Sequence, residues 1–197
     1  MRDIDGNLYH TVTIGTQIWM TENLKVTKFN DGTPIDIAKD LKSSKSWPYP
    51  LYCWYNNDPS DPNHYGILYN YMTVHQTYLV PLYIAPEGWH VPSDEEWNKL
   101  ISYLGGSDIA GGKMKSISGW NGSDTGSTSE SGFTALSGGI RFGDNPFYQL
   151  GKRGYWWSSS MTTSMSWYRY LSNYDEVVYR YESVRSTGNS VRCVKEN

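Results

Sequence analysis

Gly154-Tyr155-Trp156-Trp157-Ser158-Ser159-Ser160 sets three hydroxyls behind three aromatic rings, and four histidines, two cysteines and 20 Asp and Glu complete the groups that could do chemistry. Metal-dependent catalysis needs ligands at short spacings. His10, His64, His75 and His90 form no HxH, HxxxH or HExxH pattern. His90, in Trp89-His90-Val91-Pro92, reads as a hydrogen-bonded structural residue. Ser158, Ser159 and Ser160 stand in a strand pattern rather than in the sharp GxSxG turn that exposes a nucleophile, so no serine is singled out. The glycines of GGSDIAGGK follow a helix pattern and lack GxxxxGK[ST], which argues against a phosphate cradle. A carboxylate pair for glycoside hydrolysis could be drawn from 20 Asp and Glu, as from almost any chain, and without fixed geometry it is not an inference. Hard oxygen side chains gather twice, at Asp3, Asp5 and Asn7 and at Asn56, Asn57, Asp58, Asp61 and Asn63. Either set could meet Ca²⁺, but the bidentate Glu and flanking helices of an EF-hand are missing from the first, and both have ordinary turn composition. No cofactor is expected, with Ca²⁺ as the minority alternative. Cys53 and Cys193 make no CxxC and could either pair across the fold or stand as two buried thiols.

What remains is binding chemistry. The chain has 17 Tyr and 9 Trp against 4 Phe, so nearly every ring carries a polar handle suited to a half-buried position. In Ser164–Ser172, side chains alternate between faces if the segment is extended, placing Trp167, Arg169 and Leu171 on one side and Tyr168 and Tyr170 on the other. On the following segment Val177, Tyr179 and Tyr181 oppose Val178, Arg180 and Glu182. Exposed residues between Tyr155 and Tyr181 are therefore the candidate ligand-binding set: Tyr155, Tyr168, Tyr170, Tyr179 and Tyr181, with the turn residues Asn173, Tyr174 and Asp175. Rigid, amphipathic tyrosine surfaces of this kind serve in paratopes and sugar platforms. Cross-strand packing against a second sheet is the competing reading.

The elements that must position these rings follow from pattern. At 197 residues the chain suits one domain with a core of its own, here 1–197. A net charge of −3 without a Lys/Arg run argues against nucleic acid. No stretch approaches the roughly 18 apolar residues of a membrane span. The start, Met1-Arg2-Asp3, is polar, so the chain is expected either to be cytoplasmic or to follow a removed leader. Residues 1–30 read as a hairpin region, with Leu8–Ile14, a Gly15-Thr16 turn and Gln17–Met20. Residues 31–50 read as irregular, with at most a short helix near 35–41, and GILYNYMTV as a short helix. Ser93 caps a firmer helix, with Glu96 completing a capping box, Gly105 ending it, and Trp97, Leu100, Ile101 and Leu104 as its apolar stripe. The Gly- and Ser-rich run 105–132 reads as a long surface excursion. Strand patterns at 133–142, 154–160, 164–172, 176–184 and 189–195 then predict an antiparallel C-terminal β meander over 132–197. The expected fold class is α+β: antiparallel sheets, about two helices and much irregular loop.

Seven blocks carry a resemblance: DIDGNLYHTVTIGTQIWMTENL, YCWYNND, YGILYNYM, PEGWHVPSDEEWNKL, GGIRF, GYWWSSS and GNSVRCVKE. In order and spacing they resemble the Fibrobacter succinogenes major paralogous domain family across Asp3 to Glu196. The resemblance implies a secreted or lipid-anchored, extracellular or cell-surface module without established enzymatic activity, its lipid anchor lying outside this chain. It also implies a single C-type-lectin-like domain, as in formylglycine-generating enzymes and the variable proteins of diversity-generating retroelements. In the latter the C-terminal segment displays diversified binding residues, and GYWWSSS through NSVRCV would correspond. A reverse transcriptase and template repeat beside the gene would mark that segment as diversified. Ala85 stands where many members carry a Cys, the paired active-site cysteines of the formylglycine-generating enzymes have no match, and the Glu-Pro-Asn and Trp-Asn-Asp motifs of sugar-binding C-type lectins are not reproduced. The expected function is a non-catalytic ligand-binding or adhesion module with a protein or glycan partner. The alternatives are a carbohydrate-active or protein-modifying enzyme in the same cleft, or a structural subunit of a surface assembly.

Overall fold

Thr11, Val12, Thr13 and Ile14 suit a pleated, half-buried surface, and Gly15 takes the positive φ of 62° that reverses the chain. The result is the expected hairpin: β1 (Thr11–Ile14) pairs antiparallel with β2 (Gln17–Met20). The computed structural model describes residues 1–38, 49–60, 65–75, 82–122, 126–142 and 147–196. Along the chain follow β3 (Asp36–Ile37), β4 (Leu51–Cys53), β5 (Leu68–Tyr69), α1 (Tyr71–Val74), β6 (Trp89–His90), α2 (Asp94–Tyr103) and α3 (Ser107–Met114). The last third holds β7 (Gly138–Arg141), β8 (Phe147–Leu150), β9 (Arg153–Met161), β10 (Ser166–Ser172), β11 (Tyr179–Ser183) and β12 (Val194–Lys195). Three sheets result, in strand orders β1-β2-β12-β6, β3-β4-β5 and β11-β10-β9-β7-β8. The fold is mixed α+β.

Several expectations need correction. The 105–132 run is not all surface excursion, because α3 lies within it and buries Ala110, Gly111, Gly112 and Met114. Its helical period is hidden because glycines fill buried positions. A Cβ on Gly111 would lie 2.5 Å from the Glu176 carbonyl oxygen, and one on Gly112 2.6 Å from that of Gly126. The C-terminal sheet is not a simple meander. β8 is an extra strand, β7 runs parallel to β9, and β12 leaves this sheet to pair antiparallel with both β2 and β6. The strand expected at 133–142 shrinks to β7, its earlier part instead burying Phe133 and Ala135 in the core. Residues 36–37 form a strand rather than a helix, and in GILYNYMTV only Tyr71–Val74 is helical. Residues 39–48 of the irregular stretch, along with Asp61, Asn63 and His64, lie outside the described residues.

Two apolar clusters flank β9. Tyr9, Met20, Tyr52, Tyr69, Tyr71 and Trp157 belong to one. The other gathers Trp19, Trp97, Leu100, Phe133, Trp156 and Leu171. Trp156 and Trp157 are neighbours in sequence, both fully buried, and as the period of a strand requires they enter opposite clusters. Trp156 Nε1 donates to Asn23 Oδ1 at 2.8 Å, and Trp157 Nε1 to the Tyr69 carbonyl at 2.8 Å. The buried Arg192 binds Asn23 Oδ1 at 2.9 Å and the Phe133 carbonyl, with its guanidinium 4.2 Å from the Phe133 ring centroid. Burial pushes that guanidinium down to about 9. Cys53 and Cys193 are both buried free thiols in separate clusters, so the pairing weighed for them is not formed.

The cap of α2 is as expected: Ser93 Oγ accepts from Glu96 N at 3.2 Å, and the Glu96 carboxylate accepts from Ser93 N at 2.8 Å. Glu96 also meets His90 Nε2 at 2.6 Å, which gives the structural histidine its partner. That bond raises His90 above its ordinary 6.5. Burial would raise Glu96, but the bonds from His90 and the Ser93 backbone override it and hold the carboxyl below 4.5. The stabilisation through His90 is complete below pH 6.5 and is lost as pH rises through its raised folded value. That through Glu96 is present above 4.5 and is lost as pH falls through its lowered folded value. Thermal melts should therefore show the pair contributing about 0.5–1 kcal/mol between those limits. His90→Gln should lose most of this at pH 5.5 and show a smaller deficit at pH 9.

Candidate ligand-binding face

The alternation read along 164–184 becomes a ring array through strand register. Tyr168 stands opposite Trp157 on β9 and Tyr181 on β11, while Tyr170 stands opposite Tyr155 and Tyr179. Directly opposed residues of an antiparallel pair share a face, so Tyr155, Tyr168, Tyr170, Tyr179 and Tyr181 gather on one side. Tyr170 and Tyr179 stack with centroids 4.4 Å apart and planes 7° from parallel. Tyr170 is 5.5 Å from Tyr155 and 5.8 Å from Tyr181, and Tyr168 packs edge-on against Trp157 at 6.2 Å. The Arg153 guanidinium lies 5.2 Å from the Tyr170 centroid, adding a cation to the array.

The electrostatics make these phenols donors. Burial raises Tyr155 and Tyr168 and pushes Tyr170 up to about 12, against the opposing charge of Arg153. Tyr179 is raised because its hydroxyl donates to Asp175 Oδ2 at 2.8 Å. Of these four, Tyr168 and Tyr170 are partly exposed rings with raised phenols, while the Tyr179 hydroxyl is committed to Asp175 and Tyr155 is buried. Tyr168, Tyr170 and Tyr179 are partly exposed and Tyr181 is 53% exposed. Tyr174, on the turn between β10 and β11, is 63% exposed. Two of the expected contact residues are not at the surface. Tyr155 is only 5% exposed because the other rings cover it, and Asn173 is buried with its amide donating to the Asn121 carbonyl. Tyr155 is thus the bed of the array, and Asn173 ties down the turn.

The opposite face of the same strands is fixed to α2. Arg169, 1% exposed, meets Asp94 at 2.7 Å and Asn98 Oδ1 at 2.8 Å. Arg180 Nε reaches Asp94 at 3.0 Å, and its guanidinium stacks 3.4 Å from the Trp167 centroid. Asp94 also anchors from the other side, its backbone N–H donating to Ser160 Oγ at 3.0 Å. Burial would raise the Asp94 carboxyl, but hydrogen bonds from Arg180 and Arg169 hold it low. Sequence reasoning missed Arg153, Trp167 and Arg180 as parts of this assembly. Arg153 shares the parity of Tyr155, and that signal was available.

Two serines of the opening motif accept from the backbone: Ser158 is fully buried and its Oγ accepts from Ser160 N at 3.1 Å, and Ser160 Oγ accepts from Asp94 N. Asp3 and Asp5 are turn residues. Asp3 accepts from Asn7 and from the Tyr9 hydroxyl at 2.7 Å, and Asp5 from Thr27 and Lys28. Among the described residues no three His, Cys, Asp or Glu side chains converge as metal ligands. No described helix is long and apolar enough to cross a membrane. An open depression of about 480 Å³ lined by Arg2, Asp3, Ile4, Asn30, Pro86 and Glu87 includes none of the array.

Fold and face together define a mixed α+β protein whose central sheet carries a tyrosine array on one side and a helix-clamped arginine layer on the other. The chain belongs to the Fibrobacter succinogenes major domain family, whose model matches residues 12–195. No curated protein and no solved structure matches it.

Proposed function

We propose that this chain is a non-catalytic ligand-binding or adhesion module of the cell surface or extracellular space, with a scaffold of the C-type-lectin-like kind. The observation that carries the reading is the half-exposed array of Tyr168, Tyr170, Tyr179 and Tyr181, backed by buried Tyr155 and cation-bearing Arg153. Such rings present large area with few rotatable bonds, so little conformational entropy is lost when a ligand covers them. Their hydroxyls supply the directional bonds that a protein or glycan partner needs. Ser158, Ser160 and the described histidines engage the fold itself, which leaves the array as the feature best suited to recognition. Retroelement diversification of this segment, and a lipid anchor beyond it, remain part of the proposal through the family resemblance.

A combined Tyr168→Ala, Tyr170→Ala, Tyr179→Ala variant should lose about tenfold or more in affinity for whatever the parent binds on glycan and host-protein arrays. Its far-ultraviolet circular dichroism should match the parent's. Equal binding by the folded variant would refute the surface assignment.

A further inference from the structure

β11 is the outer strand of the five-stranded sheet, and among the described residues no strand pairs with its free side. An edge strand offers alternate backbone N–H and C=O groups to any chain laid beside it. Tyr179-Arg180-Tyr181-Glu182-Ser183 is charge-complementary to itself when read backwards. If two copies align antiparallel with Tyr181 facing Tyr181, Arg180 of each stands opposite Glu182 of the other, twice across one axis. The other edge strands lack this property: β1 is Thr-Val-Thr-Ile, β8 is Phe-Tyr-Gln-Leu, and β3, β5 and β6 hold two residues each.

We propose that β11 pairs with β11 of a second copy about a two-fold axis passing between the two Tyr181 residues, joining two five-stranded sheets into one. Directly opposite residues of an antiparallel pair share a face, so both Arg180–Glu182 contacts fall on the α2 side of the joined sheet. Arg180 is already ordered for this role. Asp94 holds its Nε and Trp167 stacks on its plane, while the side chain stays 43% exposed. Less freedom is therefore lost when a carboxylate arrives. On the opposite face Tyr181, 53% exposed, meets its own copy, so the two tyrosine arrays become continuous. The contact is isologous and closes at two copies. A five-residue strand pair is small, so the dimer is weak and dependent on concentration. This inference stands independently of what the array binds.

Sedimentation velocity of the whole chain up to on the order of 100 μM should show reversible dimers, as a small interface requires. Glu182→Arg leaves the Asp94 contact untouched and should weaken self-association about tenfold or more, because two attractive pairs become repulsive. Arg180→Glu should do the same. An equimolar mixture of the two should recover dimers, since Arg then faces Glu at all four positions. In the parent, β11 amides that do not bond to β10 should gain hydrogen-exchange protection with concentration, a readout that needs no variant. A parent that stays monomeric throughout this range, a dimer indifferent to both reversals, or folded variants that fail to recover on mixing would each overturn the proposal.

Discussion

Trp157→Ala is expected to remove about 4 kcal/mol of folding stability. The side chain is fully buried, sits edge-on to Tyr71 at 5.4 Å and to Tyr168 at 6.2 Å, and donates to the Tyr69 carbonyl. Truncation leaves a cavity between the sheet and the first apolar cluster and removes the support beneath the tyrosine array. Against a total stability of roughly 5–15 kcal/mol, the loss takes a large share of the margin. Urea titration followed by circular dichroism would measure it. Trp157→Phe keeps most of the ring contact and should cost markedly less. Similar costs for the two variants would show that packing is not the source.

Asp94→Ala ranks second, at about 3 kcal/mol, and its cause is charge rather than volume. Removing the carboxylate leaves the guanidinium of Arg169 buried with Asn98 as its main remaining side-chain partner. An unpaired buried cation costs far more than the intact pair contributes. The share through Arg180 is discounted, because that residue is 43% exposed and screened by solvent. The pH dependence follows from sign. The Asp94 carboxyl is held below its ordinary 3.8, so its contribution is present above that value and lost as pH falls through the folded one. The stability gap between parent and variant should be wide at pH 7 and should narrow as pH falls below 3.8 through the folded value. Removing both charges with Asp94→Leu and Arg169→Met should recover much of the loss, and a double variant no better than the single would contradict the argument.

What could be read from the sequence divides along physical lines. The tyrosine array follows from a period of two in β10 and β11, which holds because each strand is continuous over five or more residues. The α2 cap was visible because Ser93 and Glu96 act within one turn. α3 was hidden because the close approach of Glu176 and Gly126 demands glycine where an apolar side chain would have announced a buried face. β12 was misplaced because two residues carry no period, and its partners lie about 100 or more residues away in sequence, at Trp19 and His90. The alternation that sets Arg169 beside Leu171 holds in the structure, where both are buried on one face of β10.

The paired indoles of β9 have one further consequence. Tyrosines hold two successive same-face positions on both β10 and β11, so sliding these strands by two residues would still set one ring against another. Trp156 and Trp157 accept no such slide. Each fits one cluster and donates to one acceptor, Asn23 on one side and Tyr69 on the other. A displaced β9 would forfeit both hydrogen bonds and misplace both rings together, and a shift of one residue would exchange the faces outright. The two tryptophans thus work as an alignment key. They reject near-miss alignments of β9 that the adjoining pairs of tyrosines discriminate only in part.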